Sequence, residues 1–383
     1  MPALYLQLLE QLRQWIDPDD KRHLTVFAEI IASMLLSSSA SLHHWLPWLV
    51  HRKCSARSNM ERLSYFVNNP RITASTFYEP LLKHFLTTFL ASAVELTLDT
   101  SVLWDKFCLI EVCVVWGGRS LTLSQVVIEH GSATVSFEQY RPVLERAAAL
   151  IPTGCSVSIL ADRGFLHGDF IRWAQQQGWG WCVRGKVDTL VRLASGRTKV
   201  AQSLIPSSGQ AVIAHNVTIF ENVPAHLAIA NLPQAQEAWI VLADPAHRPS
   251  LQTFARYGRR FGGIEPHLKD YKSAAFKILD SKLRNAQALT CLVMLLDCAS
   301  LLAVVLGTIA IHQNFQSQLD AHPRRGLSFL QLGLRVIKMW LYLGRVLLPL
   351  TPLPAENFPT AYASKRKQQE LAERIEFSRV MTL

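Results

Sequence analysis

Apolar residues recur every three or four positions through residues 1–90 and predict a run of short helices. Leu6, Leu9, Leu12, Trp15 and Ile16 form the first stripe, which stops at the break Asp17-Pro18-Asp19-Asp20. A second helix is expected from about Leu24 to Leu36, and a third carries Leu42, Trp45, Leu46 and Leu49. Ser58 followed by Glu61 reads as a capping box for the next helix, which should end at Asn68-Asn69-Pro70; Thr73 or Ser75 caps one more. Near residue 91 the period changes to that of strands. VELTLDT (94–100), FCLIEVCVVW (107–116) and SLTLSQVVIE (120–129) predict a three-strand meander that turns at Gly117-Gly118. A helix over 137–150 leads to the strand SVSILAD (156–162), then a helix over 168–177 and the strand GWCVRGK (180–186).

Three strands, helix, strand, helix, strand is the order of a ribonuclease-H-like α/β core. In that order Asp99 leaves the first strand and Asp162 the fourth, and these two strands are neighbours. Residues 187–247 hold short alternating pieces (QAVIAHNVTIF, AHLAIANL, EAWIVLAD) separated by turn residues, which reads as a small β-rich insertion rather than a continuation of the core. Beyond it, Pro266 is tolerated in a helix only in its first turn, so a helix is expected to begin near Ile264 with Glu265 at its mouth. Ile264, Leu268, Tyr271 and Ala275 would dock on the core, while Glu265 and Lys272 share a neighbouring face.

The domain organisation expected is therefore a helical DNA-binding domain (1–90), a first part of the core (91–186), the β-rich insertion (187–247), a second part of the core (248–300) and C-terminal helices (301–383). Residues 286–311 are apolar over a length that would span a bilayer. Asp297 in mid-segment would cost roughly 3 kcal/mol in lipid, so a buried helix covering the sheet explains the run better, and no membrane partner is expected. The Pro-rich stretch 349–359 and the charged SKRKQQELAER after it suit a solvated or dimer-contacting tail.

Charge and composition narrow the function. Lys and Arg number 39 against 29 acids, a net charge of +10, which in a folded chain points to a polyanion, with nucleic acid first. The seven cysteines contain no CxxC pair, which suits a reducing compartment and argues against a disulfide framework or a zinc finger. The N-terminal stretch has no basic region ahead of an apolar core, so a secretory signal is not expected. Two carboxylates at adjacent strand ends, Asp99 and Asp162, form a hard-oxygen site of the kind Mg²⁺ prefers.

LTLDTS around Asp99, ILADRGFLHGDF around Asp162 and YGRRFGGIEPHLKDYK at 257–272 together resemble the DDE transposases of the bacterial insertion-sequence-four family, over nearly the whole chain. The family signature runs Tyr, two residues, Arg, three residues, Glu, six residues, Lys. Tyr257, Arg260, Glu265 and Lys272 match it, except that four residues separate Arg260 from Glu265, which leaves Arg259 and Arg260 both open for the arginine role. The resemblance implies cut-and-paste DNA transposition: binding of inverted-repeat ends, a homodimeric synaptic complex, cleavage of both strands and joining of 3′-hydroxyls to target DNA. It implies two Mg²⁺ ions, replaceable by Mn²⁺ and roughly 3.5–4 Å apart, held by Asp99, Asp162 and Glu265 for phosphodiester hydrolysis and transesterification. Arg260, Lys272 and Tyr257 would contact phosphates, with Arg184 and Lys186 as further contacts. Trp239, in the last strand of the insertion, would stack on a flipped base if a hairpin forms, or serve as a core residue. A bacterial cytoplasmic location, on the nucleoid when DNA is bound, goes with this reading. A relative that binds DNA without cutting, or a nuclease on the same core, are the alternatives.

Overall fold

The computed structural model describes residues 2–50, 53–90, 92–117, 119–233, 235–246, 252–345, 350–351 and 377–383. Six helices open the chain: α1 (Pro2–Leu12), α2 (Lys21–Ser37), α3 (Leu42–Trp45), α4 (Ala56–Asn68), α5 (Ala74–Phe77) and α6 (Glu79–Phe89). Local chemistry sets their ends. Asp20 accepts from the Arg22 N–H at the start of α2, and Thr73 accepts from the Thr76 N–H at the start of α5. The cap of α4 is Ser55 rather than Ser58: its hydroxyl accepts from the Ser58 N–H, so the helix starts about one turn earlier than the Ser58–Glu61 pattern implies.

Next come β1 (Ala93–Leu103), β2 (Phe107–Trp116), β3 (Arg119–Glu129), α7 (Phe137–Leu150), β4 (Ser156–Ala161), α8 (Gly168–Gln176) and β5 (Gly180–Arg184). β1, β2 and β3 form an antiparallel meander, while β4 runs parallel to β1 and β5 parallel to β4. This is a ribonuclease-H-like mixed sheet. β1 runs on to Leu103, so Asp99 lies inside the strand instead of at its exit.

The insertion contributes β6 (Leu190–Arg192), β7 (Thr198–Val200), β8 (Gln210–Ile219), β9 (Val223–Asn231) and β10 (Trp239–Ala243). It does not stand apart from the core. β10 pairs antiparallel with β5, so the sheet runs continuously in the order β3-β2-β1-β4-β5-β10-β9-β8-β6-β7. The near-continuous apolar runs of β9 and β10 explain this, since both faces of those strands are buried.

After the sheet come α9 (Gln252–Lys269), α10 (Ala286–His312), α11 (Gln316–Leu319) and α12 (Phe329–Tyr342). The expected helix start at Ile264 is wrong, because α9 begins at Gln252 and passes straight through Pro266. α10 crosses the boundary expected at 300, and 94% of its most apolar window is covered by protein. It packs on β3, α2, α4 and α12, so the N-terminal and C-terminal helices share one core. Gly307 and Gly333 sit where α10 and α12 cross, each with its Cα against a backbone carbonyl of the other helix, Phe329 and Ala303, where a Cβ has no room. The chain's last strand, β11 (Arg379–Thr382), pairs parallel with β8. The charged tail segment named above lies outside the described residues.

Candidate nucleic-acid active site

One face of α9 assembles the site. Along that face, at steps of three or four residues, the helix crosses the sheet obliquely from β4 to β3. The Tyr257 hydroxyl donates to Asp162 Oδ1 at 3.2 Å. One turn on, the Arg260 guanidinium pairs with Asp99 Oδ2 at 2.8 Å. Gly263 lies over Val115 of β2 and Ser120 of β3, where a Cβ would meet the Ser120 hydroxyl at 2.9 Å, so the small residue sets how closely the helix approaches. His267 then faces Glu111 of β2, and Asp270 pairs with Arg119 of β3 at 3.0 Å.

The sheet supplies the acids in one row. Leu98 pairs with Ala161, so the next residues, Asp99 and Asp162, stand side by side across β1 and β4. Asp99 in turn pairs with Glu111 of β2, and partners in register point to the same face. Burial pushes the Asp99 carboxyl above the usual carboxylate range. Arg260 and the Thr100 N–H pull it down, while Asp162 and Glu111 push it up. Burial also raises the Tyr257 phenol, which keeps it protonated as the donor to Asp162.

Basic groups line the same end of the sheet. Arg163, directly after Asp162, and Arg184, the last residue of β5, both donate to the Glu237 carboxylate, at 2.5 and 2.7 Å. The Arg163 bond in particular lowers Glu237 below its ordinary range. Arg163 stands in the stretch ILADRGF, where its place directly after Asp162 is the signal for it. Trp239, at the start of β10, is half-buried with its ring edge-to-face against Tyr257, 6.1 Å between centroids. Lys186 is exposed beyond β5. Of the two arginines open for the signature role, Arg260 is the one that reaches Asp99; the Arg259 side chain lies outside the described residues.

Glu265 is not brought to the two aspartates. It is exposed, and at about 100° per residue it lies well round the helix from the face carrying Tyr257, Arg260, Ile264 and His267. In the unbroken α-helix Ile264 lies on the buried face and Glu265 turns outwards. Beyond α9 the chain widens into a π-type turn at Asp270–Ala274 that carries Lys272, half-buried.

Glu111 is the acid that sequence reasoning passed over. Its signal was available: it is the one charged residue in the apolar run FCLIEVCVVW. Its side chain is 1% exposed and neither carboxylate oxygen makes a hydrogen bond.

Asp99 and Asp162, registered side by side with burial disfavouring the charge on Asp99, fit a hard divalent cation. The Arg260 guanidinium supplies the positive charge that such an ion would bring. A separate cleft of about 940 Å³ lies at the opposite end of the parallel strands, lined by Glu95, Ser158, Asp244 and Arg256, and includes neither aspartate.

No curated protein matches the sequence. Among solved structures, the cryo-EM structure of a piggyBac transposase synaptic complex with hairpin DNA is similar at 11% identity, covering 96% of this chain and 86% of that chain with a TM-score of 0.47. Residues 105–302, just over half of the chain, match the family model described as the transposase DDE domain. With Asp162 inside that span and Asp99 paired beside it in the same sheet, the chain belongs to the DDE transposases.

Proposed function

We propose that the chain is a cut-and-paste transposase of the insertion-sequence-four type. It would bind inverted-repeat ends as a homodimer, cut both strands and join the 3′-hydroxyls to target DNA, in a bacterial cytoplasm and on the nucleoid. The observation that carries this reading is the pairing of Asp99 and Asp162 on β1 and β4, with Tyr257 and Arg260 delivered to them by one helix. Asp99 and Asp162 would hold Mg²⁺ or Mn²⁺, which when bound stabilises charge on the attacking and leaving oxygens of an in-line phosphoryl transfer. Arg260, now paired with Asp99, would be displaced from it by an ion held there, and its planar fork suits a phosphate oxygen pair. Arg163 and Arg184 exchange the single Glu237 carboxylate for DNA phosphates, a substitution that salt would oppose. Trp239, half-buried and braced edge-to-face by Tyr257, could offer a ring face to a flipped base.

Glu265 would join as third ligand only if α9 turned near its glycine pair. A π-type turn at Gly262-Gly263 absorbs one residue and would rotate Glu265 by about 100° towards the sheet. Lys272 would then follow as a phosphate contact. The test is cleavage of a labelled terminal repeat with Mg²⁺ or Mn²⁺, where wild type cuts and Asp162→Asn does not.

The exposed position of Glu265 favours one second reading, a chain that binds transposon ends without cutting them. Binding that persists in EDTA, with no metal-dependent product from wild type, would select it.

A further inference from the structure

One strand away from Asp99 lies a polar cluster that the proposed transposition chemistry leaves unused. Glu111 and Cys113 are two apart on β2 and share a face, which is the face covered by α9. His267 descends from α9 between them. The ligating atoms of Glu111, Cys113 and His267 all lie within 4.8 Å of one another, and all three residues are buried. Asp297 of α10, 2% exposed, stands beside them; it accepts from the Tyr271 hydroxyl at 2.5 Å through Oδ1, while its Oδ2 has no hydrogen bond.

The contacts within the cluster are long. His267 Nε2 shares a 3.4 Å hydrogen bond with the Thr122 hydroxyl and stands 3.6 Å from Glu111 Oε1 as an ion pair, while both Glu111 oxygens lack a hydrogen bond. Buried carboxylates are normally paired at hydrogen-bond distance or neutralised by an ion. About 3.3–3.5 Å is, however, the separation between two nitrogen or oxygen ligands around a tetrahedral ion with bonds of about 2.0–2.1 Å. Imidazole, thiolate and carboxylate together form a borderline donor set, which favours zinc over the magnesium or calcium that all-oxygen sites take.

We propose that Glu111, Cys113 and His267 bind one zinc-class divalent ion. The ion would be structural, enclosed by protein and tying α9 to β2, and it would be distinct from the ions at Asp99 and Asp162. Cys113 becomes a thiolate on binding and its proton leaves to solvent.

The test uses the full-length chain, freed of nucleic acid, treated with EDTA, incubated with Zn²⁺ and desalted. One zinc per chain should be retained, and Co²⁺ in its place should give thiolate-to-cobalt absorption in the near ultraviolet. Cys113→Ser and His267→Gln should weaken zinc binding beyond the roughly 10–100-fold that outer-shell changes cost. Asp162→Asn should leave zinc retention unchanged, separating this site from the one at the strand ends. Wild-type chain that is folded yet keeps no zinc would overturn the proposal, as would equal retention by the Cys113 and His267 variants. Should those variants fail to fold, the cobalt spectrum of wild type decides alone: no thiolate absorption, no site.

Discussion

The two ends of α9 address acids in opposite ways. At the N-terminal end, Tyr257 and Arg260 meet Asp162 and Asp99 within hydrogen-bond distance, and the Asp99 side chain keeps 17% of its surface exposed. At the C-terminal end, His267 and Tyr271 meet Glu111 and Asp297 in a place closed to water, with bonds left unmade. Each end sets a tyrosine and a basic side chain against two acids, one strand of the sheet apart. What differs is exposure: Asp99 and Asp162 are half-buried, Glu111 and Asp297 fully so. Under the proposed function the acids at this end must be within reach of an incoming ion and a phosphate, and the partner that holds Asp99 meanwhile is the Arg260 guanidinium. A buried acid has no such exchange available and must be neutralised permanently, by a proton, an imidazole or an ion.

The largest effect should come from the open end. Asp162→Asn is expected to reduce metal-dependent cleavage of a terminal repeat by on the order of 10³-fold or more, with little change in melting temperature. Cleavage comparable with wild type would remove Asp162 from the site. The closed end should behave in reverse. His267→Ala leaves Glu111 buried without its imidazole and should cost about 3–5 kcal/mol in urea unfolding. If that variant unfolds at the wild-type midpoint, the cluster is not holding the helix.

Smaller effects sharpen the contrast. Asp99→Asn and Arg260→Gln should each destabilise, and the double variant should lose less than their sum, by about 0.5–3 kcal/mol. Additivity in this cycle would mean that the ion pair contributes nothing. Tyr257→Phe removes one hydrogen bond and should cost about 0.5–1.5 kcal/mol, seen as a modest shift of the unfolding midpoint. The smallest stability change is expected for Glu265→Gln, within about 0.5 kcal/mol, because the side chain is exposed. Cleavage by this variant decides its role: a drop as deep as that of Asp162→Asn would mean that α9 turns to bring Glu265 in.

Much of the fold was legible because local patterns dictated it. The switch from helical spacing to alternation near residue 91 places β1, β2 and β3 within a few residues of their observed bounds, and α7 falls at 137–150 as expected. The insertion was read as separate because its turn residues and short strands carry no information about which edge they pair with. Only the free edge of β5, taken by β10, settles that. The α9 boundary was missed because Pro266 was allowed to outweigh the helical face running back through Ile264, Arg260, Tyr257 and Thr253. Tertiary packing of that face tolerates one missing N–H in an eighteen-residue helix. Spacing and resemblance single out Asp99, Asp162, Tyr257 and Arg260, which the structure brings together, whereas Glu111 is legible as the one charge in a buried strand.

The sequence alone determined the mixed α/β core, the two aspartates on adjacent strands and the basic surplus that points to DNA. These follow from hydrophobic period, strand order and net charge, which are properties of the chain read residue by residue. Only the tertiary structure decided which way each side of α9 faces. In an unbroken helix Glu265, five positions after Arg260, lies about 140° round from it. That face is fixed by how Gly263, His267 and Asp270 pack against β2 and β3, and no local pattern in the sequence encodes that contact.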